Sequence, residues 1–203
     1  MDPSIVAFMR MQCVECDEWQ ELAVGISLST RRWLLVPVND NESFDGTSNH
    51  WSLLLMFVPT AKCFHFDSHG CYNQKAAEAT AEKLYRLLQK PPESVVQLQR
   101  AIRSPQQMNG HDCGVYVLLA ADWLAQQLSN FLSGIEDAVF NSGMPSSGIS
   151  DEPALLRDLD SLCAQMAVEA VNPVSAENFR QDMYTLIVRG RVNEGSFMVD
   201  RKI

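Results

Sequence analysis

Two short apolar runs set most of the limits on how this chain can fold. The stretches "RRWLLVPVN" at 31–39 and "HWSLLLMFV" at 50–58 are bounded by polar turn formers, which suits buried strands better than helices. Between them "DNESFDGTS" is dense in turn residues. A third segment, "AKCFHFD", alternates as a strand does and follows a tight turn at Pro59 and Thr60, so a meander is expected. If its last two strands pair as a hairpin, their far ends, at His50 and Asp67, become neighbours.

Downstream the pattern changes period. "QKAAEATAEKLYRLLQK" at 74–90 is built of strong helix formers with Leu84, Leu87 and Leu88 on one side, and Pro91 and Pro92 stop it. "ESVVQLQRAI" reads as a strand on β-branched content, and a long apolar helix is expected from about Cys113 to Leu132. "NSGMPSSGISDEP" at 141–153 reads as a flexible loop. Two more helices are expected near 154–171 and 176–189, the second with Ser175 as N-cap and Gly190 as its stop. No internal repeat is visible, and the 203 residues are long enough for one core, so a single domain over 1–203 is expected.

A net charge of −9 leaves no basic face for phosphate, which argues against nucleic acid as a partner. No window approaches the roughly 20 apolar residues of a membrane span, and "MDPSIVAFMRMQ" lacks a basic end followed by an apolar signal core. The expected setting is cytoplasmic or nuclear. The six cysteines then read as reduced thiols rather than a disulfide framework.

Within that frame the stretch "QQMNGHDCGVYVLLA" at 106–120 poses a chemical question. A cysteine attacks carbonyls as a thiolate, and both a helix amino end and a nearby imidazole favour that form. Cys113 opens an apolar helix. His50, at a loop-to-strand boundary, is the best imidazole, with Asp67 to orient it. Taken singly, each residue reads more often as structure: a small buried cysteine, a strand-end histidine, an aspartate capping a turn with Ser68. Cys63, His65, His69 and Cys71 would supply enough ligands for a tetrahedral zinc, though the spacing is unlike the common finger patterns and the cage would compete with Asp67. No metal or other cofactor is expected. Cys13 and Cys16 form a lone CxxC, better read as ordinary thiols, and His111 is expected to face solvent.

Taken together, "HWSLL", "FHFDSH" and "QMNGHDCGVYV", in that order and at these separations, resemble the cysteine proteases of ubiquitin-like modifiers, the Ulp or sentrin-specific family. The resemblance places His50, Asp67 and Cys113 on a catalytic triad and Gln107 on the oxyanion-binding glutamine. It implies an α+β, papain-like fold with the cysteine on a central helix and its partners on the adjoining sheet. "VNDN" and "FHFDSH" look most like the deneddylase branch, which implies a NEDD-type modifier and conjugates such as cullins as partners, with SUMO as the alternative, and a monomer. Trp51 resembles a tryptophan that covers the tunnel for the modifier's two C-terminal glycines, with plain packing an equal reading. Nothing matches the family's N-terminal WLND-like segment. Trp19 in "DEWQEL" reads as a core or surface aromatic. The chain is therefore expected to start partway through the family fold, with an intact triad and an incomplete substrate clamp. It would then be a protease, or a protease-like protein that binds the modifier without turning it over.

Overall fold

The computed structural model describes residues 1–43, 46–91, 94–142 and 154–189. Its sheet begins with the two apolar runs. Strand β1 (Trp33–Asn39) pairs antiparallel with β2 (Trp51–Phe57), which pairs antiparallel with β3 (Lys62–Phe66). The expected tight turn is present, with the Ala61 amide returning to the Val58 carbonyl at 3.2 Å. The register sets Leu53 opposite Phe66, so His50 and Asp67 emerge at the same end of the hairpin.

The segment expected as a fourth strand contributes only β4 (Leu98–Arg100), which joins β3 in parallel. Its β-branched residues are not what pairs: Val95 is 84% exposed, and pairing starts only after the Gln97 amide has docked on the Tyr85 hydroxyl at 2.8 Å. The resulting sheet is mixed, in the order β1-β2-β3-β4.

The N-terminal residues form two helices that the sequence reading did not anticipate. Helix α1 (Pro3–Met11) starts at Asp2, whose carboxylate accepts the Ser4 amide at 2.8 Å, with proline in the first turn where no amide hydrogen is needed. Helix α2 (Cys16–Gly25) is opened by a capping box between Glu15 and Glu18. Trp19 is a core residue, 6% exposed, with the Lys83 ammonium over its ring. Cys13 is buried and Cys16 exposed, so the CxxC pair is divided between core and solvent.

Helix α3 (Gln74–Leu87) ends near its expected stop, closed by Gln89 in a left-handed conformation. Helix α4 (Cys113–Ser142) starts at the expected cysteine and runs ten residues beyond Leu132. It takes in residues 141 and 142 of the expected loop, the rest of which lies outside the described residues. The helix expected over 154–171 is broken at Asp158 into α5 (Ala154–Arg157) and α6 (Leu159–Glu169), because Asp158 turns to cap the Ser161 amide. Helix α7 (Pro173–Arg189) starts before Ser175. Its cap is Asn172, which accepts the Ser175 amide at 3.0 Å, and Pro173 takes the first helical position. Gly190 lies outside the described residues.

Alternation along the strands divides the core into two layers. Leu53, Leu55, Phe64 and Phe66 face α4, α6 and α7, whereas Leu34, Val36, Leu54 and Met56 face α1, α2 and α3. The architecture is α+β, with helices on both faces of one mixed sheet. No described helix is long and apolar enough to cross a membrane.

Candidate active site

The open end of the β2–β3 hairpin carries a buried dyad. His50 Nε2 lies 2.6 Å from Asp67 Oδ1, and the two residues are only 4% and 2% exposed. Asp67 is held by the turn that follows β3: its Oδ1 also accepts the His69 amide and its Oδ2 the Asn73 amide, each at 2.9 Å. Burial by itself would raise this carboxyl, but hydrogen bonds from His50, Asn73 and His69 outweigh it and hold the group at about 2. An ionised Asp67 fixes the proton of His50 on Nε2 and leaves Nδ1 as the basic nitrogen.

His50 is also fixed through its backbone. Asp40, at the end of the β1 side of the loop, accepts the amides of Asn49 and His50 at 2.9 and 3.1 Å and the Ser48 hydroxyl at 2.8 Å. Arg10 of α1 supports that loop, donating to the Asn39 carbonyl at 2.8 Å and the Asn41 carbonyl at 3.0 Å. Asn73 adds a third tie, its amide reaching the carbonyls of Val38 and His50 and the Ser52 hydroxyl. None of Arg10, Asp40 and Asn73 stood out in the sequence. The signal for Asp40 was present as an acidic residue closing β1 in "VNDN", but its role depends on a loop closure that spacing does not show.

Cys113 is the first residue of α4 and is 7% exposed. The next turn of the helix, through Tyr116, Val117 and Ala120, packs on Leu53 and Phe66. The amino end of α4 is thereby set at the same end of the sheet as His50 and Asp67. Asp112 precedes the helix as its cap residue, its carbonyl accepting the Tyr116 amide at 2.9 Å. A side chain at Gly114 would meet nothing within 4 Å, so the first turn opens onto free space at that position.

Two glutamines precede Cys113, and their hydrogen bonds separate them. The Gln106 amide nitrogen donates to the carbonyls of Asp67 and Ser104 at 3.0 and 2.8 Å, while its oxygen accepts the Gly70 amide. Both of its N–H groups are spent on the scaffold. Gln107 is anchored by its oxygen, which accepts the Ser68 hydroxyl at 2.7 Å, and one N–H goes to the Asn109 carbonyl at 2.5 Å. Its second N–H has no partner among the described residues. Trp51, the first residue of β2, is half-buried against the α4-side core.

The zinc alternative fails on geometry. His65 places Nε2 3.0 Å from the Ser52 hydroxyl and Nδ1 3.4 Å from the Gln74 oxygen, and burial pushes the Cys63 thiol up to about 12. Among the described residues no three metal-ligating side chains converge. His111 is exposed, as expected, and meets Arg180 of α7.

Residues 29–142, more than half of the chain, match the Ulp1 protease family, C-terminal catalytic domain. Among curated relatives, sentrin-specific protease 8 of Rattus norvegicus is 33% identical over 103 residues, 51% of this chain and 46% of that protein. NEDD8-specific protease 1 of Arabidopsis thaliana is 26% identical over 130 residues, 63% of this chain and 56% of its own length. Its namesake in Schizosaccharomyces pombe is 22% identical over 191 residues, covering 90% of this chain and 41% of that one. The chain thus spans about half the length of the curated relatives it matches. The matched segment holds the hairpin dyad, Gln107 and the helix that opens with Cys113, and on that match the chain belongs to the Ulp1 protease family.

Proposed function

We propose that this chain is a cysteine protease that cleaves after the C-terminal Gly-Gly of a ubiquitin-like modifier, releasing it from conjugates, from its precursor, or from both. The observation that carries this reading is the buried His50–Asp67 dyad at the sheet end where α4 opens with Cys113. The Cys113 thiol gives its proton to His50 Nδ1 and the sulfur attacks the glycine carbonyl. Gln107 and the Cys113 amide stabilise the oxyanion. His50 then protonates the departing amine, and a water activated by the same imidazole hydrolyses the thioester, returning the thiol. Asp67 holds the ring throughout and stays ionised. Trp51, partly open beside His50, covers the glycine pair.

Relatives named as NEDD8-specific proteases favour a NEDD-type modifier, with conjugates such as cullins, over SUMO. The chain would work as a monomer. Six free thiols suit a reducing compartment, the cytoplasm or nucleus.

The test is adduct formation with C-terminal electrophile probes of the NEDD-type modifier, SUMO and ubiquitin, read by mass. Labelling of Cys113 by the first probe, and none in Cys113→Ala, is expected. Labelling by the SUMO probe alone would reassign the branch. A folded protein that binds the modifier and takes up no probe would be a binder rather than an enzyme.

A further inference from the structure

Helix α7 sends Arg180 to the turn that carries Cys113. Arg180 Nη1 lies 3.4 Å from Asp112 Oδ1 and 2.8 Å from His111 Nε2, and its Nη2 pairs with Glu177 one turn earlier in α7. Asp112 is 4% exposed and adjoins Cys113. Its Oδ2 accepts the Asn109 side-chain amide at 2.7 Å, whereas its Oδ1 accepts no hydrogen bond and faces the guanidinium at 3.4 Å, with His111 Nε2 farther off at 3.9 Å. An aspartate at this position ordinarily turns its carboxylate onto the second and third helical amides. Asp112 does not, so the amides of Gly114 and Val115 are left without that carboxylate.

This arrangement bears on the sulfur directly. A buried, unneutralised carboxylate beside Cys113 would oppose thiolate formation, and one folded onto the helix end would cancel the positive field that favours it. We propose that Arg180 is a positioning residue for the nucleophile: it draws the Asp112 carboxylate off the amino end of α4 and neutralises it, leaving that end's field to the Cys113 sulfur. The proposal rests on the reading of Cys113 as nucleophile. Beyond its recognised catalytic segment, the fold would then use its last described helix to tune the reaction. The other titratable groups around the turn are His50 and Asp67 from the hairpin end, His69 and Tyr72 from the turn after β3, Tyr116 on α4, His111, and Glu177 on α7. Among the described residues Arg180 is the always-charged cation paired with Asp112.

The test is the pH profile of Cys113 alkylation by iodoacetamide, read on the Cys113 peptide by mass, with exposed Cys16 and Cys71 as internal references. Arg180→Met should move the Cys113 midpoint up by about one pH unit, a roughly tenfold loss of labelling on the acidic side, without moving the references. Arg180→Lys should keep most of the wild-type profile, and Asp112→Asn combined with Arg180→Met should return the midpoint to near its original place. A wild-type profile in Arg180→Met, or a shift that removing the carboxylate does not reverse, would overturn the proposal. If Arg180→Met does not fold, Asp112→Asn alone must move the midpoint down, and an unchanged midpoint there sinks the idea. Alkylation needs no modifier, so a wild-type protein that rejects every modifier probe yet shows these shifts would remove the proposed substrate and leave the role of Arg180 standing.

Discussion

On the α4 side of the sheet Leu53, Leu55, Phe64 and Phe66 meet Tyr116, Ala120 and Leu124 in an apolar layer. The α3 side threads buried polar groups, His65, Ser52 and Asn73, through a layer of similar apolar content. The two faces deliver different parts of the site. Apolar packing brings the cysteine, because a helix need only be seated to aim its first residue. Hydrogen bonds bring the histidine and aspartate, because a side chain at a loop end lies beyond the layer of apolar strand residues and is aimed chiefly by its polar partners. Damage on the polar side should therefore appear chiefly in turnover, with a smaller cost in stability, and damage on the apolar side in stability alone.

The strongest break in this contrast is Asp67→Ala. It should lower kcat by roughly 10³- to 10⁴-fold, the scale on which losing the orienting carboxylate acts in a triad. Circular dichroism should show a folded protein, and probe labelling of Cys113 should be slow rather than absent. Asp67→Asn should be milder, since its oxygen can still accept from His50 while its NH2 group faces the Asn73 amide, an orphaned donor. Activity close to wild type in Asp67→Ala would mean that the dyad is structural.

The opposite result is expected from Leu124→Ala. Leu124 is fully buried in the α4-side layer and touches nothing that reacts. Truncation should cost about 2–5 kcal/mol in urea unfolding, while kcat per folded molecule stays near wild type. A large fall in kcat with stability intact would show that the helix transmits more than its position.

How far the sequence carried the reading follows the same division. The hairpin was legible because its apolar runs and turn residues are local, and the register that joins His50 to Asp67 follows from the turn at Pro59. Cys113 as a helix start was legible from the apolar run behind it. Helices α1 and α2 were not: in α1 the apolar residues Ile5 to Met9 form one unbroken run rather than a stripe of helical period, and α2 opens on Glu15 and Glu18, where a serine or threonine would have drawn notice. The weakness of β4 and the place of Arg180 were hidden for another reason. Both depend on contacts across dozens of residues, with Tyr85 and His65 in one case and Asp112 in the other.

Asp40 sharpens the comparison, because it serves the polar side from a distance. It makes no bond to the imidazole and holds only the backbone that carries it. In Asp40→Ala the amides of Asn49 and His50 lose their acceptor, and a displacement of about 1 Å at His50 would lower kcat by about 100-fold. Arg10→Met should reproduce part of this loss, since Arg10 braces the same loop from α1. KM should move little in either variant. A rise in KM with kcat unchanged would place the loop in substrate binding instead.

The smallest expected effect is a pH-dependent one and isolates the Asp67 carboxylate. Its ordinary value is 3.8 and the folded protein holds it at about 2, so the folded state binds this proton less readily than the unfolded chain does. The sign follows: the contribution is fully present above 3.8 and is lost as pH falls toward 2, and its full size is about 2 kcal/mol. Asp67→Asn carries no such proton, whereas every other carboxylate is shared between the two proteins and cancels in their difference. Urea unfolding of both should show the wild-type advantage shrinking by about 1 kcal/mol between pH 5 and pH 3. An advantage that stays constant across that range would mean that the three donors around Asp67 do not favour its ionised form. The orientation of His50 would then rest on packing against His69 and Tyr72.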